Sequence, residues 1–452
     1  MSQEPDQLDW LFSPRRFAPQ RVFRAAQAFV RIEASSGIVL LVAAVAALLW
    51  ANSPWQDAYF DLWRTRIALD ASIFSIDEDL QHWVNDGLMT IFFFLAGLEI
   101  KRELVHGELS SPRRALLPAA AALGGMIAPA LIYTLLNAGG PGAAGWGIPM
   151  ATDIAFALGV LSLLSRRVPF SIKIFLLALA IADDIGAILV IAVFYTESVS
   201  LGALGIAALL LALVVAMNRA GVRSVDLYVV VGACLWVAVL ESGIHATLAG
   251  VTLGLLAPAR AFYDPRNFTA AATGLLDRLT RARQDDNRDE TQGLLGQIED
   301  LAQGTEAPVD RLGRQLHPWV SYIIVPVFAL ANAGVAVSGD VASAAIESPV
   351  TRGVAIGLLI GKPIGIFAFT WIAVRLHLCE LPTDATWAHI LGAGMLGGIG
   401  FTVSLLITGL AFDQELLIDE AKLGVLAASV IAGCLGFAFL WLTARNLNGR
   451  EL

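Results

Sequence analysis

Residues 170–196 read FSIKIFLLALAIADDIGAILVIAVFYT, an apolar run broken by one lysine near its start and two adjacent aspartates at its centre. About 20 such residues, rising 1.5 Å each as a helix, cross the roughly 30 Å hydrocarbon core of a bilayer. Asp183 stands thirteen residues from either end of the run, roughly 20 Å along a helix and therefore at the midplane. An aspartate pair is tolerated at that depth only where further helices or water surround it, so the segment predicts a helical bundle in a membrane.

The rest of the chain supplies the bundle. Of 452 residues, 57% are hydrophobic and 15% charged, a balance foreign to soluble proteins. Apolar runs predict an all-α polytopic membrane protein with twelve spans, at 36–51, 85–104, 115–137, 146–164, 170–196, 200–217, 226–240, 246–258, 317–336, 352–374, 387–410 and 421–443. Before them stands an N-terminal segment, 1–35, in which Val22, Phe23, Ala26, Phe29 and Val30 recur at helical spacing, as in a short helix lying on the membrane surface. A linker, 259–316, separates spans eight and nine, and a short tail, 444–452, closes the chain.

With both termini inside, 25 of the 30 Lys and Arg fall on the inner side and only Arg64 and Arg66 in an outer loop, as expected when basic residues collect on the cytoplasmic face. The start of the chain has no cleavable signal pattern. The formal net charge of −9 is concentrated in residues 264–310, which hold ten acidic and five basic side chains and read as a solvated, partly helical cytoplasmic linker. Nothing there suggests a nucleic-acid partner. Cys234, Cys379 and Cys434 lack disulfide or metal spacing and are assigned to packing. The outer loop Asn52 to His82 contains RIALDASIFSI, 66–76, compatible with a small hairpin. No phosphate-binding loop, His/Cys cluster or nucleophile with a local base appears. Neither a cofactor nor an enzymatic site is expected, and an ion gradient is the expected energy source.

Four charges sit deep in spans: Asp153, Asp183, Asp184 and Lys362. Each opposes insertion by about 2.5–3.5 kcal/mol unless it pairs, takes a proton or faces water. Neighbouring Asp183 and Asp184 point about 100° apart on a helix, so one can pair while the other faces a cavity, and they titrate as a coupled unit. Lys362, amid Gly357, Gly361, Pro363 and Gly365, is a candidate partner. Carboxylates that take up protons also ligate a hard cation such as Na⁺. The resulting competition gives antiport once the site is exposed to alternate sides, and two carboxylates favour an electrogenic ratio. Two spans carry Gly/Pro interruptions: GWGIPMATDIAF in span four, with Thr152 and Asp153, and GAGMLGGIGFTVS in span eleven. Such paired breaks point to a central site whose helix ends Asp153 and Lys362 offset.

FFFLAGLEIKREL, IPMATDIAFALGVLSLL, KIFLLALAIADDIGAILVIAVFYT, SGIHATLAGV, LHPWVSYIIVPVFALANAGV, LLIGKPIGI and GGIGFTVSL follow one another between Ser36 and Leu442. In this order they resemble the NhaA-type sodium/proton antiporters, inverted-repeat transporters. The resemblance implies spans 3–5 and 10–12 as inverted repeats, with spans 4 and 11 crossing near the midplane. It implies Asp183 and Asp184 as the carriers of Na⁺ and H⁺, Lys362 as partner of Asp183 or a titrating group itself, and Thr152 with Asp153 at the crossing. The implied activity is export of Na⁺ or Li⁺ against H⁺, switched on at alkaline pH, by a homodimer in the bacterial inner membrane that serves pH and sodium homeostasis. The pH-sensing residues map onto Glu99, Arg102, Glu103 and His245. By spacing alone the first three read equally as surface pairs of a helix end, and His245 as a structural histidine. One member of the sensing set is replaced: Gly313 stands where the family has Glu.

Overall fold

The computed structural model describes residues 18–71, 74–164, 167–196, 199–222, 224–337 and 345–448. Arg166 and Arg223, two of the basic residues counted to the inner side, lie outside them, as do residues 1–17. The chain is mostly helical. Among the described residues, six helical segments are long and apolar enough to cross a membrane: Pro112–Asn137, Ala143–Leu163, Phe170–Phe194, Leu201–Arg219, Pro349–Arg375 and Glu415–Thr443. Two further pairs qualify if each bent pair counts as one span: Ser35–Ala51 with Gln56–Trp63, bent by 116°, and Trp387–Gly397 with Phe401–Ala411, bent by 46°. Val225–Leu240 and Thr247–Leu256 are shorter apolar helices.

Burial is inverted relative to a soluble protein. Leu135, Leu201 and Leu209 are 70–81% exposed, while Thr152, Asp153, Asp183, Asp184, Lys362, Thr402, Ser404 and Thr408 are buried. An apolar exterior around a polar interior is what a lipid solvent selects.

We label α1 Ala18–Ala51 and α2 Gln56–Trp63. The surface helix expected near residues 22–30 is continuous with the first span in α1, because neither Gly nor Pro interrupts 20–36. The side chains of 18–34 lie outside the described residues. After α2, strands β1, Arg66–Ala71, and β2, Phe74–Asp79, pair antiparallel with Arg66 opposite Asp79, so the outer loop does form a hairpin. It is tied to the next helix by Trp83 Nε1, which donates to the Ile67 carbonyl at 3.1 Å.

That next helix, α3, Met89–His106, follows a π-helical turn, Trp83–Leu88. Two more π turns occur, Val320–Ile324 and Gly357–Gly361, the latter ending one residue before Lys362; π turns are frequent near functional sites. Helix α4, Pro112–Asn137, lies against the Pro349–Arg375 span along a seam of Gly353, Gly357, Gly361 and Gly365. At four-residue spacing they share one face. A Cβ on Gly365 would strike the Gly124 carbonyl, one on Gly361 would strike Pro129, and one on Gly353 would strike Tyr133 and Asn137. Small residues on one face let two backbones touch, which is how helices gain packing energy in lipid.

The acidic linker is a folded helical hairpin. Helices Pro265–Gln284 and Arg288–Thr305 are N-capped by Asp264 and Asn287 and bury Leu279, Ala282 and Leu294 between them. The backbone N–H groups of Phe262 and Tyr263 both donate to the Gly304 carbonyl, at 2.9 Å each, and clamp its base. Its charge total hid an amphipathic pattern that two packed helices satisfy. The chain then continues through Pro308–Trp319 toward Val325–Asn332.

Candidate functional site

Pro149 and its glycines keep span four from forming one regular helix. A 3-10 helix, Ala143–Met150, ends at extended Ala151, and α5, Ile154–Leu163, starts after extended Asp153. In span eleven, α6, Trp387–Gly397, stops at the glycine-rich Gly398–Gly400 and α7, Phe401–Ala411, resumes beyond it. The two breaks touch: the Asp153 N–H donates to the Ile399 carbonyl at 2.7 Å.

A broken helix exposes unpaired N–H groups and a positive dipole end on one side, and unpaired carbonyls and a negative end on the other. Here all four ends are answered. Asp153 Oδ1 accepts the Phe156 N–H at 2.9 Å, capping its own helix. Asp153 Oδ2 accepts from the Thr402 N–H at 3.2 Å and the Thr402 hydroxyl at 2.7 Å, capping α7. At the carbonyl ends, Lys362 Nζ donates to the Met150 oxygen, and Thr152 Oγ1 lies 2.9 Å from the Gly397 oxygen.

The same two donors reach Asp183, whose Oδ2 lies 2.7 Å from Lys362 Nζ and 2.7 Å from Thr152 Oγ1. Both members of the ion pair are 1% exposed. A pair so buried is costly to desolvate and costlier to break, since either member left alone is an uncompensated charge. Asp183 Oδ1 is buried with no hydrogen-bond partner among the described residues, so one carboxylate oxygen is crowded and the other idle. Thr152 has a single hydroxyl proton and two acceptors in reach, Asp183 and Gly397. It donates to one of them at a time.

Asp184, next in sequence, makes no side-chain hydrogen bond or ion pair among the described residues. It lines a cavity of about 60 Å³ together with Glu99, Thr152, Asp153, His317 and Ser321. Since a water needs roughly 10–15 Å³ by such a measure, the cavity has room for a few waters or one partly hydrated ion. Carboxylate and hydroxyl oxygens dominate its polar lining, a chemistry open to protons and to hard cations alike.

The four residues matched to pH sensing are not brought together. Glu99 lines the cavity, and Glu103, one turn on, accepts the Glu108 N–H at 2.9 Å and braces the local turn. Arg102 lies on the same helix. His245 is elsewhere: its Nε2 is 2.6 Å from the Tyr195 carbonyl. At Gly313 a Cβ would meet nothing within 4 Å.

Several site groups escaped sequence reading. Thr402 ranked below the charges, although a Thr just past a glycine-rich break is a signal for a helix-end donor. The carbonyls of Met150, Gly397 and Ile399 carry no side-chain signal. Asn332 and Ser404, both open to an ion-path reading, serve packing contacts. Asn332 exchanges amide hydrogen bonds with Asn85 at 2.7 and 3.3 Å, and Ser404 donates to the Ile148 carbonyl at 2.7 Å.

Comparison with known sequences places this geometry. The family described as Na⁺/H⁺ antiporter 1 matches residues 27–440. A Syntrophotalea carbinolica protein named Na(+)/H(+) antiporter NhaA 2 is 47% identical over 415 residues, 91% of this chain and 95% of that protein. An Anaeromyxobacter protein named Na(+)/H(+) antiporter NhaA is 48% identical over 425 residues, 94% of this chain and 92% of its own. A Koribacter versatilis protein of the same name is 46% identical over 413 residues, covering 91% and 90%.

Proposed function

Because the chain belongs to the Na⁺/H⁺ antiporter 1 family, we propose that it exports Na⁺ in exchange for H⁺, with Asp183 and Asp184 binding both. The observation that carries this reading is the division of labour between the neighbours. Asp183 is held by Lys362, while Asp184 looks into an oxygen-lined cavity. A cation entering from the Glu99 side meets Asp184 first and displaces protons from the pair. Lys362 and Thr152 compete with it for Asp183, and Asp153 with Thr402 holds the two breaks in register. Li⁺, chemically the nearest relative of Na⁺, is a second substrate. Two carboxylates per cation make the exchange electrogenic.

The reading extends to the architecture. Counting 83–106 and 308–332, whose charged ends depress their hydropathy, with the apolar helices gives twelve spans. Spans 3–5 and 10–12 are then inverted repeats, and spans four and eleven cross at the midplane. Both termini and the acidic hairpin face the cytoplasm of a bacterial inner membrane, and the protein works as a homodimer in pH and sodium homeostasis. Activation is by alkaline pH through Glu99, Arg102, Glu103 and His245. Gly313 supplies no carboxylate to that set.

The test is collapse of an imposed pH gradient in everted vesicles on addition of Na⁺, Li⁺ or K⁺. Dissipation by Na⁺ and Li⁺ that Asp184→Asn abolishes is the expected result. No dissipation between pH 6 and 9, with folded protein present in the vesicles, would overturn the reading.

A further inference from the structure

A second cavity, far larger than the first, shares no lining residue with it. It encloses about 1040 Å³, at the top of the roughly 300–1,000 Å³ range of small-molecule pockets. Its walls come from helices Val225–Leu240 and Thr247–Leu256, the Trp83–Phe94 stretch and helix Pro308–Trp319. On Val225–Leu240 it runs from Val225 to Trp236, eleven residues and about 16 Å of helix, close to half of a roughly 30 Å hydrocarbon core.

Its chemistry is graded along that length. One end is closed by Trp83 and Trp236, ring centroids 6.1 Å apart, whose indole N–H groups are turned to the Ile67 and Asp86 carbonyls, leaving apolar faces inward. Along the wall Tyr228 donates to Asn218 and Asn218 to the Leu256 carbonyl, so these polar groups are already satisfied. Val229, 63% exposed, and Val225, 41% exposed, line the cleft and also face outward, so it opens sideways toward lipid. Among the described residues two charged side chains line it, Arg311 and Asp300, both at the end formed by the linker hairpin and the helix after it. Arg311 commits one N–H to Gln303 at 3.0 Å, out of five on its guanidinium.

The geometry points to a bound zwitterionic aminophospholipid, its acyl chain along the cleft, its phosphate on Arg311 and its primary ammonium on Asp300. One leaflet of depth, a lateral opening and one charge of each sign at the mouth match that headgroup. They match neither an anionic lipid, which Asp300 repels, nor a small apolar solute, which needs no charges. The site ties the linker hairpin to the membrane helices.

Native mass spectrometry of the full-length protein, delipidated in detergent and titrated with phosphatidylethanolamine, phosphatidylglycerol or phosphatidylcholine, tests it. The expected result is one tightly held phosphatidylethanolamine, about tenfold preferred over the other two, with the preference lost in Arg311→Ala and in Asp300→Asn. Val229→Trp, at the open side, blocks uptake, and since that position is exposed it leaves the fold intact. Equal retention of all three lipids, or a preference unchanged by both charge substitutions, would overturn the assignment. So would a bound detergent that phosphatidylethanolamine does not displace.

Discussion

Asp153 and Thr402 are 249 positions apart in sequence, yet their side chains meet at 2.7 Å, and the same carboxylate caps the helix that Thr402 begins. One side chain therefore terminates two helices. Asp153→Ala leaves the Phe156 and Thr402 N–H groups unanswered in a dry interior and is expected to cost about 2–6 kcal/mol, at about 1–3 kcal/mol per buried orphan donor. Asp153→Asn keeps an acceptor oxygen and is expected to lose less than half of that. Unfolding of the two variants in detergent gives the ranking, and equal losses would contradict the double cap.

Lys362→Met strands Asp183 without its cation, and such a break costs about 3–5 kcal/mol. Adding Asp183→Asn removes the stranded charge, so the double variant is expected to be more stable than Lys362→Met alone. A double-mutant cycle measures the coupling; simply additive losses would show the two side chains to be independent.

Gly361→Ala drives a methyl group into Pro129 and Ile132 and is expected to cost about 1–3 kcal/mol, as overpacking does. Gly409 has nothing within 4 Å of a would-be Cβ. Gly409→Ala is therefore expected to be neutral or to gain up to about 1 kcal/mol. Thermal unfolding of both variants reads out the contrast.

His82, between the hairpin and α3, is expected to make stability depend on pH. Burial works against its charged form, but the Asp79 carboxylate bonded to it, with Glu78 and Asp86 nearby, outweighs burial and holds its proton affinity above the ordinary histidine value. A raised folded-state value stabilises the protein fully below the unfolded value of about 6.5 and loses that contribution as pH rises through the folded value. His82→Gln should thus lower the melting temperature at pH 5.5 and leave it unchanged at pH 9. A pH-independent difference would mean that the Asp79 contact is not ionic.

Hydropathy made the helices legible, and the expense of charge in lipid singled out Asp183, Asp184, Asp153 and Lys362, because neither signal needs a second segment to be read. Gly145, Gly147 and Pro149 marked one break and Gly397, Gly398 and Gly400 the other. Asp153 and Lys362 were legible as partners of the helix ends, but Thr152 and Thr402 beside them were not. The Thr152 contact to Gly397 spans 245 positions and ends on a backbone oxygen, and a carbonyl has no letter in a sequence. That the linker's helices pack on each other was not legible for a related reason: Leu279, Ala282 and Leu294, which pair them, are sparse and separated.

The glycine seam has a mechanical corollary. Gly124 and Gly365 press backbone to backbone, each where the other's Cβ would be, and Lys362 stands one turn from Gly365. Two surfaces meshed that finely cannot slip past one another without collision, so Lys362 travels with Pro112–Asn137 as one piece. Where α1 crosses α5, by contrast, a Cβ on Gly37 would sit 3.6 Å from the Ala155 oxygen and 3.8 Å from Gly159, a lubricated joint with a methyl group's clearance. If one half of the molecule rocks against the other to turn its site around, the seam is the axle that moves whole.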